Sequence, residues 1–332
     1  MLKRRLLLLV LLSITILAKA QTLHWVGGSG YWNDANHWST TPGGAPAGQI
    51  PNAASNVIFD NQSSGSDFTV HILQSIEVNS ITSQNQVFKG QLISSPNVQL
   101  KVNGNLELSP TFYLNTNGPL LLTPTSACLY RISPYALNSD VKIISNHDVK
   151  VEYLNTSKSI SLSGSFKLSN SVLISKNLLL NNAAVRLENS FFQTSDNIQL
   201  TNSSLTADLL KPSRFICHQA NLSQAVRTTL AGIAGITMAP MADCVVVSGT
   251  PTNVSCNATC DGIVIFDMSG CASPAGPYDI QWLNTNPAAS CQNLPPAESG
   301  FVGTTYSVST VCDCVTPYIV IFTNNTTGEQ SF

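Results

Sequence analysis

The sequence of 332 residues carries 16 Lys and Arg against 18 Asp and Glu, a formal net charge of -2, and only 10% of it is charged. So sparse and balanced a charge excludes an electrostatic partner such as nucleic acid, which needs a basic face to neutralise phosphates. Hydrophobic residues make up 43% of the chain, which excludes disorder and provides a sizeable core, and the length allows two domains.

The chain opens with Lys3, Arg4 and Arg5, runs through apolar residues 6–17, and reaches Ala18-Lys19-Ala20 in A-x-A form. This three-part pattern predicts a secretory signal peptide over residues 1–20, cleaved before Gln21. A membrane anchor is the weaker alternative, because a run of that length at about 1.5 Å rise per residue falls short of a bilayer core of roughly 30 Å. Gln21 also stands where a lipid-modified anchor needs Cys, and the later apolar residues 230–241 are broken by Gly232, Gly235 and Pro240. The chain is therefore expected outside the cell or on its outer surface, with no transmembrane segment after cleavage.

Residues 21–60 read as an N-terminal cap. The run Trp25-Val-Gly-Gly-Ser-Gly-Tyr-Trp32-Asn-Asp-Ala-Asn-His-Trp38-Ser39 leads into a Gly- and Pro-rich loop over 41–51 and then Asn56-Val-Ile-Phe-Asp60. It resembles the segment that opens many β-helical secreted proteins of gliding, type IX-secreting bacteria, where W-x-G-G-x-G-x-W and H/N-W-S precede a Pro and a V-x-F-D strand. Trp25, Tyr31, Trp32 and Trp38, gathered by tight Gly turns, are candidates to cover the open end of a solenoid, which otherwise exposes unpaired edge groups. Stacking on sugar rings is the alternative role for the same four side chains.

Over residues 61–240 short alternating segments follow one another. Phe68-Thr-Val-His-Ile-Leu73, Val98-Gln-Leu-Lys-Val102, Val141-Lys-Ile-Ile144, Val149-Lys-Val-Glu-Tyr153, Ile160-Ser-Leu162 and Phe166-Lys-Leu168 all have period two, the signature of half-buried strands. A weak repeat recurs as Leu168-Ser-Asn-Ser-Val-Leu173, Leu180-Asn-Asn-Ala-Ala-Val185 and Leu200-Thr-Asn-Ser-Ser-Leu205. Units of this length cannot bury an apolar face alone and stack into solenoid coils, with Asn at a recurrent turn able to form a hydrogen-bonded ladder. A large antiparallel sandwich is the alternative; the scarcity of Gly and Pro hairpin turns over 160–210 favours a right-handed parallel β-helix.

Catalysis finds little support. Glu77, Lys89, Lys101, Glu107, Asp140, Lys142, Asp148, Lys150, Glu152, Lys167, Arg186 and Glu188 look scattered, whereas cleavage of acidic polysaccharides needs clustered carboxylates and cations. Asp148, Lys150 and Glu152 alternate and form the best cluster, but period two turns all three outward as a solvated face when Val149 and Val151 point in. His24, His37, His71, His147 and His218 have no close metal-ligand pairing, and no nucleophile elbow, phosphate loop or H-E-x-x-H is present. The expectation is no catalytic residue, no cofactor and no metal.

Residues 241–332 differ in composition. Cys244, Cys256, Cys260, Cys271, Cys291, Cys312 and Cys314 crowd this part, while Cys128 and Cys217 stand alone upstream. In an exported chain the crowded set reads as disulfides. A zinc site from Cys256, Cys260, Cys312 and Cys314 is the lesser alternative. The total of nine is odd, so at least one thiol is free or pairs with another chain, Cys128 or Cys217 being the first choice. Five short strands are predicted, at 244–248, 261–267, 278–283, 304–310 and 318–323, a spacing that suits a sandwich. Tyr278, Ile280 and Trp282 share one face of theirs and are expected in its core.

Asn253-Val-Ser-Cys256-Asn-Ala-Thr-Cys260-Asp-Gly-Ile-Val-Ile-Phe266, Ser269-Gly270, Gly276-Pro-Tyr-Asp-Ile-Gln-Trp282 and Gly303-Thr-Thr-Tyr-Ser-Val-Ser309 resemble, in that order, an SprB-type repeat. Cys271-Ala-Ser-Pro274 departs from the usual S-G-G. The resemblance implies an immunoglobulin-like β-sandwich of the kind found in large surface adhesins, including those used in gliding. Proteins of that kind end in a sorting domain for the type IX machinery; none is recognisable before Phe332, which leaves a fragment of a longer product or release by another route. The function expected is a non-enzymatic cell-surface adhesin or structural module, with the solenoid as spacer and the sandwich as interaction or extension unit. Its expected partners are cell-surface or extracellular glycans or proteins. The alternative is a glycan-binding or polysaccharide-degrading β-helix protein.

Overall fold

A computed structural model describes residues 21–84, 87–132, 137–218, 221–241, 247–248, 262–268, 276–284, 296–311 and 318–331. The chain is all-β, 55% strand and 5% helical, and its main body is a β-solenoid of about 8 turns. Alternation dictates the strands: along Phe68–Ile72 the side chains of Phe68, Val70 and Ile72 are buried while Thr69 and His71 face outward. A strand buried on one side gains roughly 1.5–3 kcal/mol for each Leu, Ile, Val or Phe it removes from water, so the register is fixed by the apolar row.

Each coil contributes a short strand to three faces, and successive coils pair in parallel. On the first face Leu23, Val57, Ile81, Leu106, Tyr130 and Val151 stack in register, all buried. The second face stacks Ile76, Leu100, Leu120, Val141, Ile160, Leu178 and Ile198. The third has a lower part with Val70, Leu92 and Leu114 and an upper part with Leu154, Leu173, Phe192, Phe215 and Met238. These parallel ladders, with each connection a single side of a coil, decide for the solenoid over the large antiparallel sandwich.

The repeated Asn residues hold the corners. Asn170, Asn182, Asn189 and Asn202 all have positive φ, between 45° and 49°, a left-handed turn that Asn tolerates better than other side chains with a Cβ. Asn189 Nδ2 donates to Asn170 Oδ1 at 2.8 Å, and Asn202 Nδ2 to Asn182 Oδ1 at 3.5 Å. The ladder thus forms at two corners. Leu168 stacks on Leu187 and Leu180 on Leu200, so Asn170 belongs to a different column from Asn182 and Asn202, and the three-copy repeat is resolved into two interleaved ones.

Both ends of the solenoid are closed. At the upper end the helix Gln224–Ala231, capped by Ser223, brings Leu230 to full burial beside Leu222 in the solenoid core. Beyond it lie two small antiparallel sheets, one joining Val247–Ser248, Gly262–Asp267 and Thr305–Val311, the other Glu298–Phe301, Tyr278–Asn284, Tyr318–Asn324 and Gln330–Ser331. Val264, Phe266, Tyr278, Ile280, Trp282, Tyr306, Val308, Val320 and Phe322 form one apolar cluster shared by the two sheets, so Tyr278, Ile280 and Trp282 occupy the core. Ile321 points the other way along its strand and is nonetheless fully buried, against Val172, Phe191 and Ile216 on the outside of the solenoid's third face.

Candidate functional site

The aromatic cap is built outward from the glycines. Gly28 has φ +79°, and its carbonyl accepts a bond from Trp25 Nε1 at 2.7 Å. The turn folds the 3-10 segment Ala35–His37 back so that His37 lies flat on Trp25, with ring centroids 4.6 Å apart, while its Nδ1 donates to Val26 O at 2.7 Å. Trp38 meets Trp25 edge-on at 4.9 Å and Trp32 at 4.8 Å, and donates from Nε1 to Trp32 O at 2.7 Å. Behind the cap a buried His24 Nδ1 donates to Asp60 Oδ2 at 2.7 Å. The sequence grouped four aromatics, and the geometry separates them: Trp25, Trp32 and Trp38 are 0%, 2% and 0% exposed, whereas Tyr31 is 52% exposed. The three indoles cover the solenoid end and present no ring face to a ligand. Tyr31 lies outside them, tilted over His71 with centroids 5.7 Å apart.

Part of the charged set is drawn together. On the first face and its flanking corners, Lys167 pairs with Asp148 at 3.9 Å and Glu188 at 3.3 Å, Lys211 also pairs with Glu188, and Arg186 pairs with Asp208 at 3.4 Å. Stacking brings together residues that lie a coil apart in sequence, which no local window displays.

Glu152 corrects the expectation of an outward carboxylate. It is 1% exposed, because the pairing of Cys128–Arg131 with Val149–Asn155 slips between Tyr130 and Arg131: Tyr130 faces Val151, but Arg131 faces Tyr153. The extra residue in this β-bulge is Glu152, and bulges re-aim side chains in this way. Arg131 Nε bonds its Oε2 at 2.5 Å and Lys150 Nζ bonds its Oε1 at 2.9 Å. Burial pushes the Glu152 carboxyl up, but the hydrogen bonds from Arg131 and Lys150 outweigh it and hold the group below the usual carboxylate range. With each oxygen engaged, the carboxylate is a corner lock. Buried at 1% exposure and held ionised by two cations, it is not presented to a substrate. Arg131 is the partner that sequence reasoning lacked, since nothing local links it to Glu152.

The candidate disulfide set Cys244, Cys256, Cys260, Cys271, Cys291, Cys312 and Cys314, and with it the zinc alternative, lies outside the described residues, as does the signal segment 1–20. Cys128 and Cys217 are both free thiols, and burial pushes the Cys217 thiol up to about 11. Removing these two from the nine cysteines of the chain leaves seven, again an odd number. Among the described residues no group of three or more His, Cys, Asp or Glu could hold a metal ion, and no helix is long and apolar enough to cross a membrane.

Fold and surface together define a β-solenoid protein, closed by an aromatic plug below and a helix above, with a small two-sheet unit docked on its side. Comparison with known proteins gave no match to a family model, to a curated protein or to a solved structure.

Proposed function

We propose that this chain is an exported, non-enzymatic protein of the outer cell surface, adhesive or structural in role. In this reading a right-handed solenoid is the rigid scaffold and the C-terminal unit, an immunoglobulin-like sandwich of the SprB type, serves interaction or extension. Extracellular glycans or proteins are its partners, and export through the type IX route of gliding bacteria fits the resemblance of the cap. The observation that carries the reading is the engagement of the solenoid's clustered carboxylates: Glu152, Glu188, Asp148 and Asp208 are each held by Lys or Arg. A lyase or hydrolase requires such groups poised toward substrate.

The test is to incubate the purified chain with acidic and neutral polysaccharides, following new chain ends, and in parallel to measure its adherence to glycan- and protein-coated surfaces. Adherence without turnover supports the proposal, and turnover overturns it. The binding half of the second reading, a glycan-binding β-helix, is favoured by one observation, the exposed Tyr31 over His71 outside the plugged end.

A further inference from the structure

The third face of the solenoid is divided along its length. Its upper part is apolar on the outside and covered by Ile321. Its lower part is a four-stranded parallel sheet of Gly30–Tyr31, Phe68–Ile72, Gly90–Ser94 and Phe112–Thr116. Period two leaves two outward rows there. Tyr31, His71, Ile93 and Asn115 stand in register in one, with Gln91 and Tyr113 side by side in the other. Gln91 Nε2 is oriented by a bond to Thr69 Oγ1 at 2.7 Å. Tyr31, His71 and Asn115 are exposed, and the others are half-buried.

Neither row contains an Asp, Glu, Lys or Arg, in contrast to the ion-paired first face. Asp67 and Lys89 flank the sheet at one corner, opposite in sign, and Lys89 N donates to Asp67 Oδ1 at 2.8 Å. Such a face gives an acidic glycan or a phosphate no counter-charge. It does offer rings whose negative faces attract the polarised C–H side of a pyranose, and amides and an imidazole able to bond hydroxyls in either sense. The strands repeat every 4.7–4.9 Å or so, a step comparable with one sugar unit of an extended chain.

We propose that the outer side of this lower sheet binds an uncharged polysaccharide. Tyr31 is the stacking platform, and Gln91, Asn115 and His71 are the hydroxyl partners. The inference rests on the surface-protein reading and names the chemistry of its glycan partner. It also moves the glycan contact away from Trp25, Trp32 and Trp38 to a different surface, of which Tyr31 is the first rung.

The experiment is affinity electrophoresis of the full chain through gels containing amylose, a mannan, a β-glucan, alginate or hyaluronan, beside the surface-adherence measurement. The wild type is expected to be retarded by at least one of the neutral polymers and by neither acidic one. Tyr31→Ala should weaken that retention about tenfold, the loss of one stacking contact of roughly 1.4 kcal/mol. Tyr31→Trp should preserve it, and Lys142→Ala on the second face should leave it unchanged. Because Tyr31 is 52% exposed, its replacement leaves the core intact, which an unchanged melting temperature confirms. Retention by no neutral polymer, retention by acidic polymers alone, or equal retention of Tyr31→Ala and wild type overturns the inference. If the protein still adheres to surfaces in those cases, the surface-protein reading stands without it. Turnover with Tyr31-dependent retention sinks the non-enzymatic reading and leaves the binding face in place.

Discussion

The imidazole of His37 lies within 4° of parallel to the indole of Trp25, in a space that exists because residue 30 has no side chain. A Cβ at Gly30 would sit within 2.7 Å of the His37 atoms Nε2, Cδ2 and Cε1. Gly30→Ala must therefore push His37 off Trp25, and overpacking of this kind costs about 1–3 kcal/mol. His37→Ala on its own loses the stack and the bond to Val26, but combined with Gly30→Ala it removes the clash. The two changes are expected to be less costly together than the sum of their separate effects, by urea denaturation of the four proteins in a cycle. Simple additivity would mean that His37 does not occupy that space in solution.

Glu152 yields a pH prediction with a definite sign. Its carboxyl has a folded pKa held below the ordinary value of 4.5, so its contribution is fully present above that value and is lost as pH falls through the folded pKa. Glu152→Gln leaves Arg131 and Lys150, with side chains 21% and 27% exposed, without their counter-charge. A loss of about 2–3 kcal/mol is expected at pH 7, at the low end for a broken buried pair because both cations keep some water. Urea midpoints measured from pH 7 to pH 3 should show the gap between wild type and variant closing below about pH 4.5. A gap independent of pH would remove the ion-pair explanation and leave only packing.

These two sites show what the sequence makes legible. The Trp-Gly run declares a cap because its residues are neighbours in the chain, and period two declares the strands because burial repeats along one strand. Val149 and Val151 point inward as that period requires. Glu152 escapes because a bulge is a property of two strands pairing, and the slip opposite Arg131 has no local trace. The ion-paired first face is hidden for the same reason: Lys167 and Glu188 are neighbours only once coils stack. The Asn repeat was legible as a repeat but not as two columns, since Asn170 and Asn182 have the same local surroundings and differ only in the corner they turn.

The two Asn columns respond differently to substitution. Ala at position 189 or 202 keeps the Cβ in a left-handed turn but loses the local side-chain bonding by which Asn tolerates it, at a fraction of the roughly 1–2 kcal/mol that such a turn costs. Asn189→Ala also removes the 2.8 Å bond to Asn170, against a longer 3.5 Å contact for Asn202, and should cost about 0.5–1 kcal/mol more. Gly relieves the backbone strain at both sites but restores no side-chain bond. Thermal melts should therefore show Asn202→Gly milder than Asn202→Ala, and Asn189→Gly still clearly below wild type. Equal melting temperatures for the two Gly variants would show that the ladder contributes nothing beyond the turn.

Ile321 makes the docking of the C-terminal unit testable. Its neighbours Val320 and Phe322 belong to the cluster within that unit, whereas Ile321 belongs to a separate cluster with Val172, Phe191 and Ile216 of the solenoid, flanked by Tyr153, Ile174, Ala239 and Met241. An isolated Leu- or Ile-sized contact of this kind supplies roughly 1.5–3 kcal/mol. An Asp in its place would need water that the contact excludes. Ile321→Asp is thus expected to release the unit from the solenoid's side while leaving both folds intact. Small-angle X-ray scattering should show a larger maximum dimension, and calorimetry should resolve two transitions where the wild type has one. Phe191→Asp should give the same result from the other side, and the double variant should be no worse than either single one, because the contact can be lost only once. If Ile321→Asp instead abolishes the near-ultraviolet signal of Trp282, the residue supports the unit's own core and the docking contact is not its role.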